Sequence, residues 1–304
     1  MEKSKAEHSS FAPPAMKRTI YYRDAVEAVN RLHVSSIGKR YVIRFSLGQR
    51  IEHFILIFSF TVLAITGLAQ SYYNTLPGGF ILSVFGGIDT SRQVHHVASF
   101  FLGILSLYHV AIFVDGAFVH GRFGKMLPAW SDVTDAIQTI KFNLGLASRR
   151  PLFDRYSFEE KADYWALVLG TIIMGVTGII QMFPAQLTLF LPAGWVIPVS
   201  RTLHFWQAIL MVFAVLIWHS YHAVIKKKNL SIFNGNMTVE EMKEEHPLEL
   251  AYLEQASAAI ENKRWPLEIE IQLENAGETE AVIQVKDGSA EEIASKNHIE
   301  GSVE

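Results

Sequence analysis

No cysteine occurs among the 304 residues. That absence excludes disulfides, thioether attachment of c-type haem and thiolate-held iron–sulfur clusters, so any redox chemistry must use a non-covalent cofactor. Charge is also scarce: 19% of residues are charged against 50% apolar, and the formal net charge is −3. So balanced a chain offers no extended basic field, and no nucleic-acid partner is expected. The first 45 residues lack the charged, then apolar, then small pattern of a cleaved leader. The first spanning helix is therefore expected to direct insertion itself.

What is abundant is concentrated. Four apolar runs occupy about 51–72, 94–114, 164–183 and 203–225. Each has the length of roughly twenty residues that a helix needs to cross a hydrocarbon core. Their Phe, Leu, Ile and Val content reads as membrane helices. Basic residues lie before the first run (Lys39, Arg40, Arg44, Arg50), between the second and third (Arg122, Lys125, Lys141, Arg149, Arg150, Arg155, Lys161) and after the fourth (Lys226, Lys227, Lys228). The two opposite loops hold only Arg92 and Arg201. Positive charge is retained inside. The expectation is an all-α, four-helix transmembrane bundle, multi-pass in the inner (cytoplasmic) membrane, with both termini cytoplasmic.

Three regions follow. Residues 1–45 form a polar cytoplasmic arm with a helix through Arg23–Leu32, and 46–228 form the spanning domain with a cytoplasmic loop at about 116–161. In that loop Ser131 or Asp132 could cap a short amphipathic helix at the membrane surface. Residues 229–304 form an acidic tail in which "LEIEIQL" and "TEAVIQV" alternate around "ENAG", a strand-pair signature. So small a tail is expected to be mobile or docked on a partner.

The halves repeat. Thr66-Gly67-Leu68-Ala69-Gln70 matches Thr177-Gly178-Ile179-Ile180-Gln181, and Ser91-Arg92 matches Ser200-Arg201, at offsets of 111 and 109 residues. Gly67 and Gly178 suit either close helix packing or the approach of a flat cofactor.

Histidines crowd three of the four runs: His53; His95, His96 and His109; His204, His219 and His222. Ionisable groups in a membrane normally mark function. An ideal helix separates His95 from His109 by about 21 Å with about −40° of rotation, and His204 from His219 by about 22 Å with about 60°. The second and fourth helices run the same way, so His95 and His204 share one depth, and His109 and His219 another. Two facing imidazole pairs suit two bis-histidine b haems. Zinc would need three or four converging ligands, which no pair of helices offers. Arg92 and Arg201, one turn beyond His95 and His204, could pair with haem propionates or anchor the helices at the interface. His96 is read as a neighbour that packs within the bundle.

The segments "QRIEHF", "SRQVH", "RTLHFW", "IWHSYHA" and the tail "MKEEHPLELAYLE" resemble the di-haem cytochrome b of the formate dehydrogenase γ-subunit and thiosulfate reductase type. The resemblance covers roughly residues 40–255. It implies a quinone-linked membrane anchor that exchanges electrons with a peripheral redox complex, through an iron–sulfur or multihaem cytochrome c subunit; with no substrate-binding domain of its own, the chain is expected to be a subunit and not a complete enzyme. It also implies ligands at His53, His95, His204 and His219, in place of the spacing-derived set with His109. Histidines not used at the inner haem, among them His222, become candidates for binding quinone or a third haem. Helix depth favours His109, and the repeat counterpart of His53 is Tyr164; His53 stays open as the alternative. Two further roles remain: a quinol-oxidising module feeding a multihaem cytochrome c chain, and a membrane anchor or transporter without redox function.

Overall fold

The computed structural model describes residues 16–34, 38–116, 125–226, 229–262 and 267–271. In chain order these form β1 (Met16–Ile20), α1 (Tyr22–Arg31), β2 (Leu32–Val34), β3 (Arg40–Ile43), α2 (Leu47–Ser71), α3 (Leu76–Val84), α4 (Ile88–Val114) and α5 (Trp130–Asn143). Then come α6 (Phe158–Met182), α7 (Pro184–Leu187), α8 (Ala193–Phe213) with π-helical continuations Ala214–His219 and Tyr221–Lys226, and α9 (Ser231–Asn234). The chain closes with β4 (Asn236–Thr238), α10 (Val239–Glu245), α11 (Pro247–Asn262) and β5 (Leu267–Ile271). They divide into two compact units, one of residues 44–151 with 155–236, the other of 1–43, 152–154 and 237–304.

The larger unit holds the four apolar helices, Leu47–Ser71, Ile88–Val114, Phe158–Met182 and Gly194–Lys226, each long and apolar enough to cross a membrane. They are built as two hairpins, α2 with α4 and α6 with α8. Among the described residues their outward faces find no cover: Phe58, Leu107 and Leu216 are 70%, 73% and 66% exposed. In water such a surface would be prohibitive, whereas lipid tails solvate it.

Helices α2 and α6 start earlier than hydropathy alone marks, because their polar first turns are held by caps. Ser46 accepts from Gln49 N at 3.3 Å while the Gln49 side chain accepts from Ser46 N at 2.9 Å. Ser157 and Glu160 repeat this arrangement, at 3.3 and 2.9 Å. These reciprocal bonds satisfy amides that a helix start leaves without partners. The duplication thus extends to the caps.

Helix α5 occupies the long loop, as the amphipathic pattern there predicts, but Asp132 serves from its first turn: its carboxylate accepts from Ala129 N at 2.6 Å. Lys161 ties it to α6 through Asp132 at 2.7 Å, and Trp165 Nε1 donates to Met126 O at 2.9 Å.

In the smaller unit the tail, expected to be mobile or docked on a partner, packs on the N-terminal arm. Met242, Leu248, Leu250, Leu253 and Ala256 close over Ile20, Ala25, Ala28 and Val42, so arm and tail build one core together. Strand β5 forms, but it pairs antiparallel with β1, Met16 opposite Ile271 and Ile20 opposite Leu267. The anticipated partner, 279–285, lies outside the described residues. A second sheet runs β2–β3–β4. Buried His246 bonds Asp154 O at 2.7 Å, and Leu248 N donates to Phe153 O at 3.2 Å.

Arg31 and Glu249 form a 2.8 Å ion pair across this core, with side chains only 13% and 0% exposed. Removing one member of a buried pair strands the other charge, which costs about 3–5 kcal/mol. Arg31→Ala is therefore expected to open this unit in the full chain. Faster proteolytic cleavage would register the opening, and cleavage at the parent rate would contradict it.

Candidate functional site

The histidines meet in pairs inside the bundle. At the end that carries α3 and α7, the distal end, His95 of α4 faces His204 of α8 with ring centres 6.5 Å apart. Two metal–imidazole bonds of about 2 Å, with each ring centre about 1 Å beyond its nitrogen, need about 6 Å between centres. The spacing therefore leaves room for one metal between the rings.

Both rings are oriented by the repeat. Thr66 Oγ1 lies 2.9 Å from His95 Nδ1, and Thr177 Oγ1 lies 2.9 Å from His204 Nδ1. Each threonine already gives its one hydroxyl hydrogen to its own helix, to Val62 O at 2.7 Å and Ile173 O at 2.6 Å. Each oxygen must then accept Nδ1–H, which leaves Nε2 of both imidazoles unprotonated and able to ligate. The glutamine of each motif bonds the same threonine's carbonyl, Gln70 at 3.0 Å and Gln181 at 3.3 Å.

The glycines complete the device. A Cβ on Gly67 would sit 3.1 Å from His95 Cε1, and one on Gly178 would sit 3.4 Å from His204 Cε1. Absence of a side chain lets the imidazole lie against the backbone, a third use beyond the two that the sequence suggests. Gly67→Val is expected to displace His95 and lower bound cofactor, with Gly178→Ala, at ordinary contact distance, the milder change. Cofactor content of the purified variants checks this order.

At the opposite, proximal end the pairing departs from the helix-spacing expectation. His219 faces His53 of α2, with ring centres 6.4 Å apart. His219 Nδ1 lies 3.1 Å from Asp163 Oδ2, so Nδ1–H donates to the carboxylate and Nε2 is left unprotonated and able to ligate. His109 is engaged elsewhere: its Nδ1 lies 2.8 Å from Glu52 Oε2 and its Nε2 3.0 Å from Tyr164 Oη.

The reason is local. Helix four leaves α-geometry at Ala214 and continues as a π-helix through His219, with Ser220 Oγ donating to Val215 O at 2.8 Å. A π-turn holds more residues than an α-turn, so the ideal-helix rotation used for His219 does not apply. The 111-residue offset also relates Glu52 to Asp163 and His53 to Tyr164. The proximal end thus carries two repeat-related sites. One sets His219 against His53; the other sets His109 against Tyr164, ring centres 5.8 Å apart. His109 Nε2 is hydrogen-bonded directly to this phenol, at 3.0 Å.

Spacing alone misses Glu52 and Asp163, although the repeat offset pairs them. The remaining expected residues stand apart. Arg92 pairs with Asp89 at 3.0 Å, its side chain 53% exposed, and Arg201 is exposed as well. His222 turns back on its own helix, Nδ1 at 2.9 Å from Trp218 O and its ring 4.3 Å from the indole. His96 lies partly buried beside His95. Among the described residues no three His, Asp or Glu side chains gather as a metal cluster; the imidazoles are opposed in twos.

The formate dehydrogenase cytochrome b556(fdo) subunit of Escherichia coli K12 is 24% identical over 210 residues, covering 68% of this chain and 90% of that protein. The nitrate-inducible formate dehydrogenase cytochrome b556(Fdn) subunit of the same organism is 22% identical over 231 residues, 73% and 96% of the two chains. The family model for prokaryotic cytochrome b561 matches residues 44–233, which include all four apolar helices and both imidazole pairs. The chain belongs to the prokaryotic cytochrome b561 family and is a multi-pass membrane cytochrome b.

Proposed function

We propose that the protein is the di-haem membrane subunit of a quinone-linked oxidoreductase, with one haem b held by His95 and His204 and a second by His53 and His219. One observation carries this reading: two opposed imidazole pairs, at 6.5 and 6.4 Å, in a bundle of the cytochrome b561 family. Bound between paired imidazoles, haem supplies a six-coordinate, one-electron redox centre suited to electron transfer rather than oxygen chemistry.

The chain's own residues do the rest. Thr66, Thr177 and Asp163 hold ligand tautomers, and Gly67 and Gly178 keep backbone space beside the distal pair. Arg92 and Arg201, one turn from His95 and His204, are the cations available to haem carboxylates. The basic-residue asymmetry supports an inner-membrane orientation with both termini cytoplasmic and the distal pair on the outer side. An electron-carrying partner then docks on that side. An iron–sulfur subunit is the expected type, since the curated relatives are subunits of formate dehydrogenase. Quinone reacts at the proximal level, where His109 and Tyr164 offer an imidazole and a phenol to a ring carbonyl and its protons.

The test is a reduced-minus-oxidised spectrum of the purified chain with haem counting. Two b-type haems per chain are expected. Colourless protein would overturn the reading in favour of an anchor or transporter, and a third haem would overturn the non-ligating assignment of His109 and His222.

A further inference from the structure

The two imidazole pairs differ in what holds them. Distal His95 and His204 each donate Nδ1–H to a neutral threonine hydroxyl, at 2.9 Å in both halves. Proximal His219 donates instead to a carboxylate, Asp163 Oδ2, at 3.1 Å. Asp163 is 23% exposed at its side chain and belongs to α6, the helix packed along α8. The repeat keeps this motif in both halves, because Glu52 and His109 make the equivalent bond at 2.8 Å. In the first half that bond serves a histidine committed to Tyr164; in the second it serves a histidine that faces another imidazole.

A carboxylate on Nδ1–H draws the proton away from the ring and raises the electron density at Nε2. A more basic axial ligand favours the ferric over the ferrous state and so lowers the reduction potential; hydrogen bonding around the ligands is one of the protein's controls on that potential. A hydroxyl acceptor does the same far more weakly. We propose that Asp163 is a positioning residue that orients His219 and lowers the reduction potential of the proximal haem alone, a control that the distal, threonine-held pair lacks. The proposal rests on His219 being a ligand.

Asp163→Asn tests it, since the amide oxygen can still accept from Nδ1–H while the charge is gone. Potentials are read by spectroelectrochemical titration of the full chain, with His53→Ala and His95→Ala identifying which component belongs to which site. The expected result is unchanged haem content, an upward shift of the proximal component and an unmoved distal one. Equal potentials in Asp163→Asn and parent, or a shift of the distal component alone, would overturn the proposal. If Asp163→Asn loses the proximal haem, Asp163→Glu decides. Retained haem at the parent potential or lower supports the role, whereas a raised potential or a lost haem refutes it. The underlying ligand reading fails separately: His219→Ala would then keep both haems.

Discussion

His219→Ala is expected to halve the haem content of the purified protein, and His53→Ala is expected to do the same, while His109→Ala leaves two haems in place. His219 and His53 face each other across 6.4 Å, whereas both ring nitrogens of His109 are taken up, by Glu52 at 2.8 Å and Tyr164 at 3.0 Å. A haem held by one imidazole instead of two would be bound more weakly and would be lost during purification. Losing His109 removes a hydrogen-bond bridge between α2 and α6 and leaves a carboxylate and a phenol short of one partner, a cost of about 1–3 kcal/mol. That cost is expected as lower stability of the bundle, without a change in haem stoichiometry. Haem counting on the three variants reads the outcome directly. Halved content in His109→Ala beside full content in His53→Ala would reverse the assignment and reinstate the helix-two ligand.

The second large effect belongs to the distal pair. His204→Ala or His95→Ala is expected to remove one haem and leave the proximal one with its parent spectrum and potential. The two pairs share no side chain: the distal imidazoles are held by Thr66 and Thr177, and proximal His219 by Asp163 near the other helix ends. Sites so separated behave additively. His95→Ala combined with His219→Ala should therefore yield a colourless protein that still inserts, since neither histidine caps a helix or supplies its hydropathy. Loss of both haems in a distal single variant would show that the two sites assemble as one.

The two predictions sit on different parts of the duplication. The distal pair lies where the halves meet symmetrically, each contributing one imidazole, one threonine and one glycine. The proximal end breaks that symmetry by one residue, His53 against Tyr164, and only one of its two repeat-related places opposes two imidazoles.

How much of this was legible in the chain depends on the range of the interaction concerned. The four spans were legible because hydropathy is a property of each run, and lipid, unlike a packed core, accepts apolar faces whatever their partner. The distal histidines were legible for a related reason: each lies in a regular α-helical stretch, at matched positions in two parallel copies. The strand at Leu267–Ile271 was visible as alternation, but not its pairing with Met16–Ile20, because the pattern of one strand says nothing of a partner some 250 residues away. The shared core of arm and tail was hidden likewise, since neither segment has enough apolar surface alone.

By itself the sequence determined that this is a membrane bundle with a duplicated, histidine-bearing hairpin, and that its redox chemistry must be cysteine-free. The tertiary structure decided which imidazoles oppose each other. That decision turns on a π-helical stretch from Ala214 to His219 and on the Asp163 and Glu52 carboxylates that each claim one histidine. An ideal 3.6-residue helix carries no information about a wider turn, and a ligand's tautomer is set by a neighbour on another helix.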